Sequence, residues 1–596
     1  MICIARPFLP DMLDSLLSFH DQITDRLPPV AYKERSVEWI LKLDASGEDY
    51  SFIETSDRAK LPDRGRTSGN SRPRLIDSAE WALGVPEKGK ETRAKKRHSN
   101  YLDLLQQATS EIDHRALTGY NRFLETVGVA VIPEEIEESL PVNIGGESKD
   151  IQAEVLPESS QPRDCVLFQL DDSEEVQADK LPANLDRSDR IEIRVNGSTI
   201  HELPEVQSWW ASFIDEVESE EITEHGPCAM CGKERPIARV HEEIRRFGNA
   251  LSSYNEDAFE SYGKTQSYGA WMCQQCARRI SRTLSWLLDS DDHSYYFNNS
   301  SWVYWTETVQ SSFSLNPVRD GDPNKVRRLL AGYYDGTLLQ NKTPLWMLSI
   351  EENQGRLIVR HLERSTVGQV EAKLAQYFEA MNVGGNFFGA TALLMSLIQT
   401  ANRSKTPEDI PSWMEAGLMR TALTGQSLPY AFLLAGLDRN QALGSISGPR
   451  AALLKLYLIT NGHDMSSALN PDHESQAYQI GRLFATLEYV QYKALGQTNA
   501  TITDRFFKSA STTPRDVFGN LIGNAQAHLS KIRKQEGDKA YNGVQKQIGS
   551  IMGRISEFPA TLSPEKQALF SLGYYHQREE RFDQGGDSNA DQSDGE

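Results

Sequence analysis

Cys228-Ala-Met-Cys231 and Cys273-Gln-Gln-Cys276 flank the stretch Ser253-Tyr-Asn-Glu-Asp-Ala-Phe-Glu-Ser-Tyr-Gly-Lys-Thr-Gln-Ser-Tyr268. Four thiolates in two close pairs are the ligand set of a closed tetrahedral zinc site. With sulfur at all four positions no place is left for water, so zinc here builds structure and does not catalyse. Its task is to fix the loop ends on either side of residues 232–272, which a segment so small does not hold by packing alone. Cys228, Cys231, Cys273 and Cys276 are thus expected to hold one structural zinc. Cys3 and Cys165 stand apart from them. Cysteine usage of this kind fits a reducing cytoplasm.

Outside that frame the 596-residue chain is too long for one hydrophobic core, and two to four domains are expected. Hydrophobic residues at 39% and charged ones at 25% give a soluble globular balance. The longest apolar run, 387–398, is far short of a membrane span. Met1-Ile-Cys-Ile-Ala5 is followed at once by Arg6 and Pro7, leaving no room for a signal-peptide core.

Net charge is −21, unfavourable for a nucleic-acid binder until its distribution is considered. Residues 134–179 carry 14 acidic and 2 basic side chains, and the tail 583–596 carries five acids and no base. Residues 58–97 hold 12 basic and 5 acidic side chains, and residues 482–554 hold 11 and 5. With a Debye length of about 8 Å at physiological salt, a basic face holds phosphate despite distant acids.

The N-terminal half reads as mixed α/β. Residues 11–23 have helical spacing. Val37, Trp39, Leu41 and Leu43 alternate with Glu38, Ile40 and Lys42 before Asp44-Ala-Ser-Gly47, and Tyr50 and Phe52 resume the alternation as a hairpin. Ile191, Ile193 and Val195 lead into Asn196-Gly197, a strong hairpin signal. Residues 302–305 read as a buried strand, and 345–350 and 357–362 as a pair joined by Glu352-Asn-Gln-Gly355. From about residue 365 the period is helical. Ile480/Leu483/Phe484/Leu487, Phe518/Leu521/Ile522/Ala525/Leu529 and Val544/Ile548/Ile551/Met552/Ile555 are three amphipathic stripes. Facing outward from them are Arg482, Lys493, Arg505, Lys508, Arg515, Lys531, Arg533 and Lys534, a basic exterior suited to a phosphate backbone. The final residues are expected to be disordered.

The fold class is therefore α+β: a mixed α/β N-terminal region with a zinc-braced insertion, then an all-helical region and a C-terminal helical bundle. The expected divisions are 1–225 (with the basic loop 58–97 and the acidic insert 134–179), 226–280 (the zinc segment), 281–464, 465–580 (the bundle) and 581–596.

Chemistry beyond the cysteines is sparse. Gly-x-Ser-x-Gly, His-Glu-x-x-His and Gly-x4-Gly-Lys-Ser/Thr are all missing from the sequence. The enzyme alternative is an HNH-type nuclease, in which His241 with Asn249 or Asn255 lies between the cysteine pairs in a suggestive order. Such an enzyme needs a further metal ligand beside its base, and His241 is the lone histidine of that interval. A stand-alone zinc-ribbon DNA-binding protein is the second alternative. Gly65-Arg-Thr-Ser-Gly-Asn-Ser-Arg-Pro-Arg74 reads as a loop. Arg66, Arg72 and Arg74 offer forked donors, and Thr67, Ser68, Asn70 and Ser71 offer short polar groups able to enter a DNA groove.

The stretch 253–268 resembles a motif of the large subunit of the subtype I-C CRISPR surveillance complex, Cascade. Three further places resemble that family in order along the chain. They are Arg66-Thr-Ser-Gly69 with Asp77-Ser-Ala-Glu-Trp-Ala-Leu-Gly84, Tyr478-Gln-Ile-Gly-Arg-Leu-Phe-Ala485 with Asn499-Ala-Thr-Ile502 and Asp504-Arg-Phe-Phe507, and Phe570-Ser-Leu-Gly-Tyr-Tyr-His-Gln-Arg578. The acidic insert and tail depart from the family, and zinc is argued from spacing alone. The resemblance implies a non-enzymatic subunit partnered by crRNA-bound backbone subunits, target double-stranded DNA and a helicase-nuclease. It would read the protospacer-adjacent motif and aid strand opening, while guide pairing reads the target. The nucleic-acid residues it singles out are those of the 66–74 loop, with Lys264, Gln266, Arg505 and Lys508 beside them. The family's small subunit can arise by internal translation, for which Met465 is the expected start here.

Overall fold

Alternation at Trp39, Leu41 and Leu43 becomes the strand Trp39–Leu43, and the chain returns antiparallel in Tyr50–Glu54. Asp44 closes the turn, its Oδ1 accepting the Gly47 and Glu48 N–H groups at 2.8 and 3.0 Å. Gly47 has φ +83°, and a methyl there would overlap the Gly119 carbonyl of the helix Arg115–Thr126. Only glycine permits that approach of turn to helix. Ile191–Val195 lies parallel to Trp39–Leu43 in the same sheet, and Asn196 (φ 47°) and Gly197 (φ 83°) make the expected tight turn into Ser198–Thr199.

The computed structural model describes residues 9–63, 73–87, 89–135, 138–156, 161, 164–171, 173–220, 222, 224–252, 260, 263–297, 300–307, 313–399, 406–498 and 500–585. The chain forms two units. One is Arg26–Pro227 with Lys233–Ile237, and the other is Met1–Asp25, Cys228–Gly232 and Ala238–Glu596.

In the first unit the helices Glu91–Glu111, Arg115–Thr126 and Pro204–Glu220 supply buried Tyr101, Tyr120, Phe123 and Trp210 to a core shared with Leu41 and Ile193. The acidic insert is a β-structure with an apolar centre of its own. Val127–Val131, Cys165–Leu170 and Val176–Lys180 form one sheet, and Ser139–Ile144 pairs with Glu147–Gln152. Val142, Ile144, Ile151, Val166 and Phe168 pack between them. The acids thus decorate a folded element.

In the second unit Ser294–Phe297, Ser300–Thr306, Pro344–Asn353 and Arg356–Thr366 form an antiparallel meander. Every residue of Ser300–Thr306 is buried, which is why its sequence shows a continuous run and not alternation. Trp305 Nε1 donates to Ser15 Oγ at 2.9 Å, while Trp302 and Tyr304 join the helical core. That core is one continuous cluster from Tyr295 to Tyr575. Its centre is the helix Gln476–Leu495, crossed by Pro564–Gly585 at contact distance. A methyl at Gly481 would overlap the Phe570 carbonyl, and one at Gly573 the Tyr478 carbonyl.

Arg482 corrects the outward-facing assignment. It is 6% exposed, donating to the Pro471 carbonyl (3.0 Å), Gln479 Oε1 (2.7 Å) and Gln577 Oε1 (3.1 Å). The helix is covered around its circumference from Ala477 to Leu487, so its apolar stripe marks only part of a buried surface.

Glu415, on the helix Ser412–Thr424, is 1% exposed, with Ser300 and Trp302 as polar neighbours. Burial raises its pKa from 4.5 to about 8. Because the folded value is the higher, its contribution to stability is fully present below pH 4.5 and lost as pH rises through about 8. Glu415→Gln should therefore stabilise the protein at about pH 8.5 by on the order of a few kcal/mol and change little at about pH 4.5. Thermal unfolding at the two pH values checks this; an equal effect at both would refute it.

Candidate metal centre and nucleic-acid interface

Two local structures bring the four cysteines together. The first pair lies in a tight turn in which the Gly232 N–H donates to the Cys228 carbonyl at 2.9 Å and Gly232 adopts φ +68°. The second pair opens a helix: Cys273 is the residue before Gln274–Asp289, and Cys276 stands in its first turn. The two turns are tied by backbone, the Ala229 N–H donating to the Trp271 carbonyl at 3.0 Å. The four sulfurs lie within 4.8 Å of one another, and Cys231 Sγ is 3.9 Å from Cys273 Sγ. A tetrahedral ion with metal–sulfur bonds of about 2.3 Å requires sulfurs about 3.8 Å apart. The donor set therefore fits a metal ion.

Its surroundings favour thiolate. Cys228 Sγ accepts the Met230 N–H at 3.4 Å and the Cys273 N–H at 3.2 Å. Cys228, Cys273 and Cys276 are buried and Cys231 is exposed. Hydrogen bonds from the Cys276 side chain and backbone pull the Cys273 thiol down, while the same pairing pushes Cys276 up. The start of a helix adds a positive end to the same spot.

His241, the base of the nuclease alternative, is buried with no hydrogen-bond partner for Nε2 among the described residues, and burial lowers its pKa to about 4. Asn249 donates from its amide to the Phe247 carbonyl at 3.0 Å. Asn255 lies outside the described residues. Among the described residues, no other group of His, Cys, Asp or Glu gathers closely enough to hold a metal.

The nucleic-acid candidates are dispersed. Arg66, Thr67, Ser68, Asn70, Ser71 and Arg72 lie outside the described residues. The base of their loop is described: Arg74 Nε meets Asp63 Oδ1 at 2.9 Å across it, and Arg35 Nη2 meets Asp63 Oδ2 at 3.0 Å. Asp77 Oδ2 accepts the Arg74 N–H at 2.9 Å. The loop thus starts and ends on an ion pair, and Arg74 already has a carboxylate. Lys264 is exposed with its ammonium 4.1 Å from the Trp271 ring centre. Gln266, exposed at φ 49°, precedes Ser267, whose N–H donates to the Arg239 carbonyl at 3.1 Å. Arg505 and Lys508 are exposed on the helix Ile502–Thr512.

Sequence counts overstate the available positive charge. Buried Glu80 accepts from Arg93 (2.9 Å), Arg97 (2.8 Å) and Arg187 (3.2 Å). Lys493 pairs with Glu536 at 2.9 Å and Arg533 with Asp538 at 2.5 Å. Sequence reasoning passed over Arg245 and Arg246, displayed together on a turn between the cysteine pairs. The signal was present in the Arg-Arg-x-Gly pattern of residues 245–248.

Metal analysis of gently purified protein should give about one equivalent, lost in Cys276→Ser, because ligand binding here is folding free energy. Amide exchange should then rise across 228–250 and 264–280. Less than about half an equivalent in the unaltered chain would count against the site.

No curated protein matches the chain. The model of the CRISPR-associated protein family Cas_Csd1 matches residues 16–582. That span runs from within the helix Leu9–Gln22 into the last helix, Pro564–Gly585, taking in the cysteine cluster. The chain therefore belongs to the CRISPR-associated Csd1 family.

Proposed function

We propose that this chain is the non-catalytic large subunit of a crRNA-guided type I-C interference complex, reading the protospacer-adjacent motif in duplex DNA and recruiting the helicase-nuclease. The family match over nearly the whole chain carries this reading. Guide pairing supplies target specificity in such complexes, so the protein needs only a short motif reader and phosphate contacts. The 66–74 residues suit the first task by their side-chain types, and Asp63 and Arg74, described on either side of 64–72, form an ion pair. Exposed Arg505 and Lys508 suit the second. The metal of the four-sulfur site is zinc in this reading, since an all-thiolate tetrahedral set favours it. Its role is to brace, and a His241 buried away from solvent, with no further metal-holding group among the described residues, fits a protein without nuclease chemistry. Among the described residues no helix is long and apolar enough to cross a membrane, and the reading places the complex in the cytoplasm.

Binding of duplex DNA by the assembled complex, with and without crRNA and the backbone subunits, tests the proposal. Guide-dependent binding without cleavage is the expected result; metal-dependent cleavage lost in His241→Ala would overturn it. Alanine at Asn70 or Ser71 should relax motif discrimination by roughly 1–3 kcal/mol, whereas alanine at Arg66 or Arg72 should weaken all sequences alike. Unchanged motif preference after replacement of the whole loop would refute that assignment.

The segment from Met465 onward is proposed to exist also as a separate small subunit. Met465 is 5% exposed and part of the continuous core. The full chain also packs the helix Gly448–Thr460 against Pro564–Gly585, so a product starting at Met465 uncovers apolar surface that a neighbouring subunit must cover. Replacing the Met465 codon should abolish the short species; its persistence at unchanged size excludes this start.

A further inference from the structure

Between the cysteine pairs, Glu243–Ile244 and Asn249–Ala250 form a short antiparallel pair whose turn is Arg245-Arg246-Phe247-Gly248. The turn is rigidly made. The Phe247 and Gly248 N–H groups both donate to the Ile244 carbonyl at 3.0 Å, and Gly248 takes φ +63°. The Arg245 N–H donates to Ser285 Oγ at 3.0 Å, fastening the turn to the helix that carries Cys276. Both arginines are exposed.

Their side chains are arranged differently. The Arg246 guanidinium carbon lies 3.6 Å from the Tyr296 ring centre. A stacked guanidinium keeps its N–H groups in the plane parallel to the ring, directed sideways to outside acceptors, at reduced entropic cost. Among the described residues no carboxylate stands within ion-pair distance of Arg246. Arg245 Nη1 is 3.3 Å from Asp289 Oδ2, with both groups about half exposed. A hydrogen-bonded turn that displays two exposed guanidiniums, one of them held over an aromatic ring, is arranged to receive an external anion.

We propose that the Arg245-Arg246 turn of the metal-braced segment is a contact for a nucleic-acid phosphate backbone. Ring stacking leaves the Arg246 fork matched to two phosphate oxygens in one plane. Fastening the turn to the helix that opens at the cysteine cluster makes the metal the support of this contact, giving the brace a purpose beyond fold. The inference rests on the reading of the chain as a DNA-binding subunit. The backbone is that of the target duplex or of the guide RNA, which present the same phosphate chemistry.

The test uses the full chain in its reconstituted complex. Arg245→Gln/Arg246→Gln and Arg246→Lys are compared with the unaltered protein for guide-matched duplex affinity over a salt series, and for crRNA retained after a salt wash. Metal content and unfolding temperature are measured on the same preparations. The double variant should weaken duplex binding equally across adjacent motifs and reduce the slope of log K against log salt by about 2. Arg246→Lys, which keeps charge without the planar fork, should fall between. If crRNA retention falls instead, the contact is with the guide, and the proposal stands with that source. Unchanged duplex affinity, salt slope and crRNA retention, with metal intact, would overturn it. A complex of unaltered protein that binds no guide-matched duplex would instead sink the broader functional reading, with the crRNA comparison still deciding this contact.

Discussion

Four thiol groups whose sulfurs all lie within 4.8 Å of one another cannot all ionise unless a cation sits among them. That electrostatic constraint organises the middle of the chain. It joins a turn at Cys228–Cys231 to a helix start at Cys273–Cys276, and so fixes the described residues on either side of both pairs. Mutual hydrogen bonds pull the Cys273 thiol down and push Cys276 up. Backbone N–H groups already aimed at Cys228 show a pocket built to stabilise sulfur anions.

The same helix links this site to its neighbours within the unit. Arg279, one turn beyond Cys276, donates to the Leu17 carbonyl at 3.1 Å and meets Asp21 of the Leu9–Gln22 helix. Further along, Ser285 and Asp289 hold the Arg245 turn, and Trp286 packs on Phe19. A change at the cysteines therefore reaches the first helix and the arginine turn through one rigid element. The crossing at Gly481 and Gly573 plays the corresponding part in the helical region, letting two buried helices meet backbone to backbone.

Charge in this protein is judged by partner and not by count. Two pairs of arginines come to different ends. Arg93 and Arg97 are consumed by Glu80, a carboxylate 2% exposed that three arginines neutralise. Arg246 is held instead by an aromatic ring, which positions a guanidinium without cancelling its charge. Burial of the acid makes the first arrangement structural, and exposure of the stacked cation leaves the second open to a ligand.

Short-range patterns were legible in the sequence. The two Cys-x-x-Cys pairs, the Asn196-Gly197 and Gln354-Gly355 turns, and the strands on either side of them follow from spacing and from the left-handed backbone those residues accept. The helical stripes at Phe518–Leu529 and Val544–Met552 were equally plain, whereas Ile555, read into the second stripe, lies beyond the end of the helix Asp538–Met552. Tertiary structure alone decided which side of a stripe meets solvent. Arg482 looked like surface and is core, because the helices Ile502–Thr512, Pro514–Glu536, Asp538–Met552 and Pro564–Gly585 pack against its own, and Gln577 and the Pro471 carbonyl take the place of water. The acidic insert likewise hid a β-structure, since its apolar residues are thinly spread among carboxylates and find one another only when strands from 127–180 pair. Local sequence sets backbone conformation and ligand type. Burial and ion pairing depend on segments far apart in the chain, which a linear reading does not bring together.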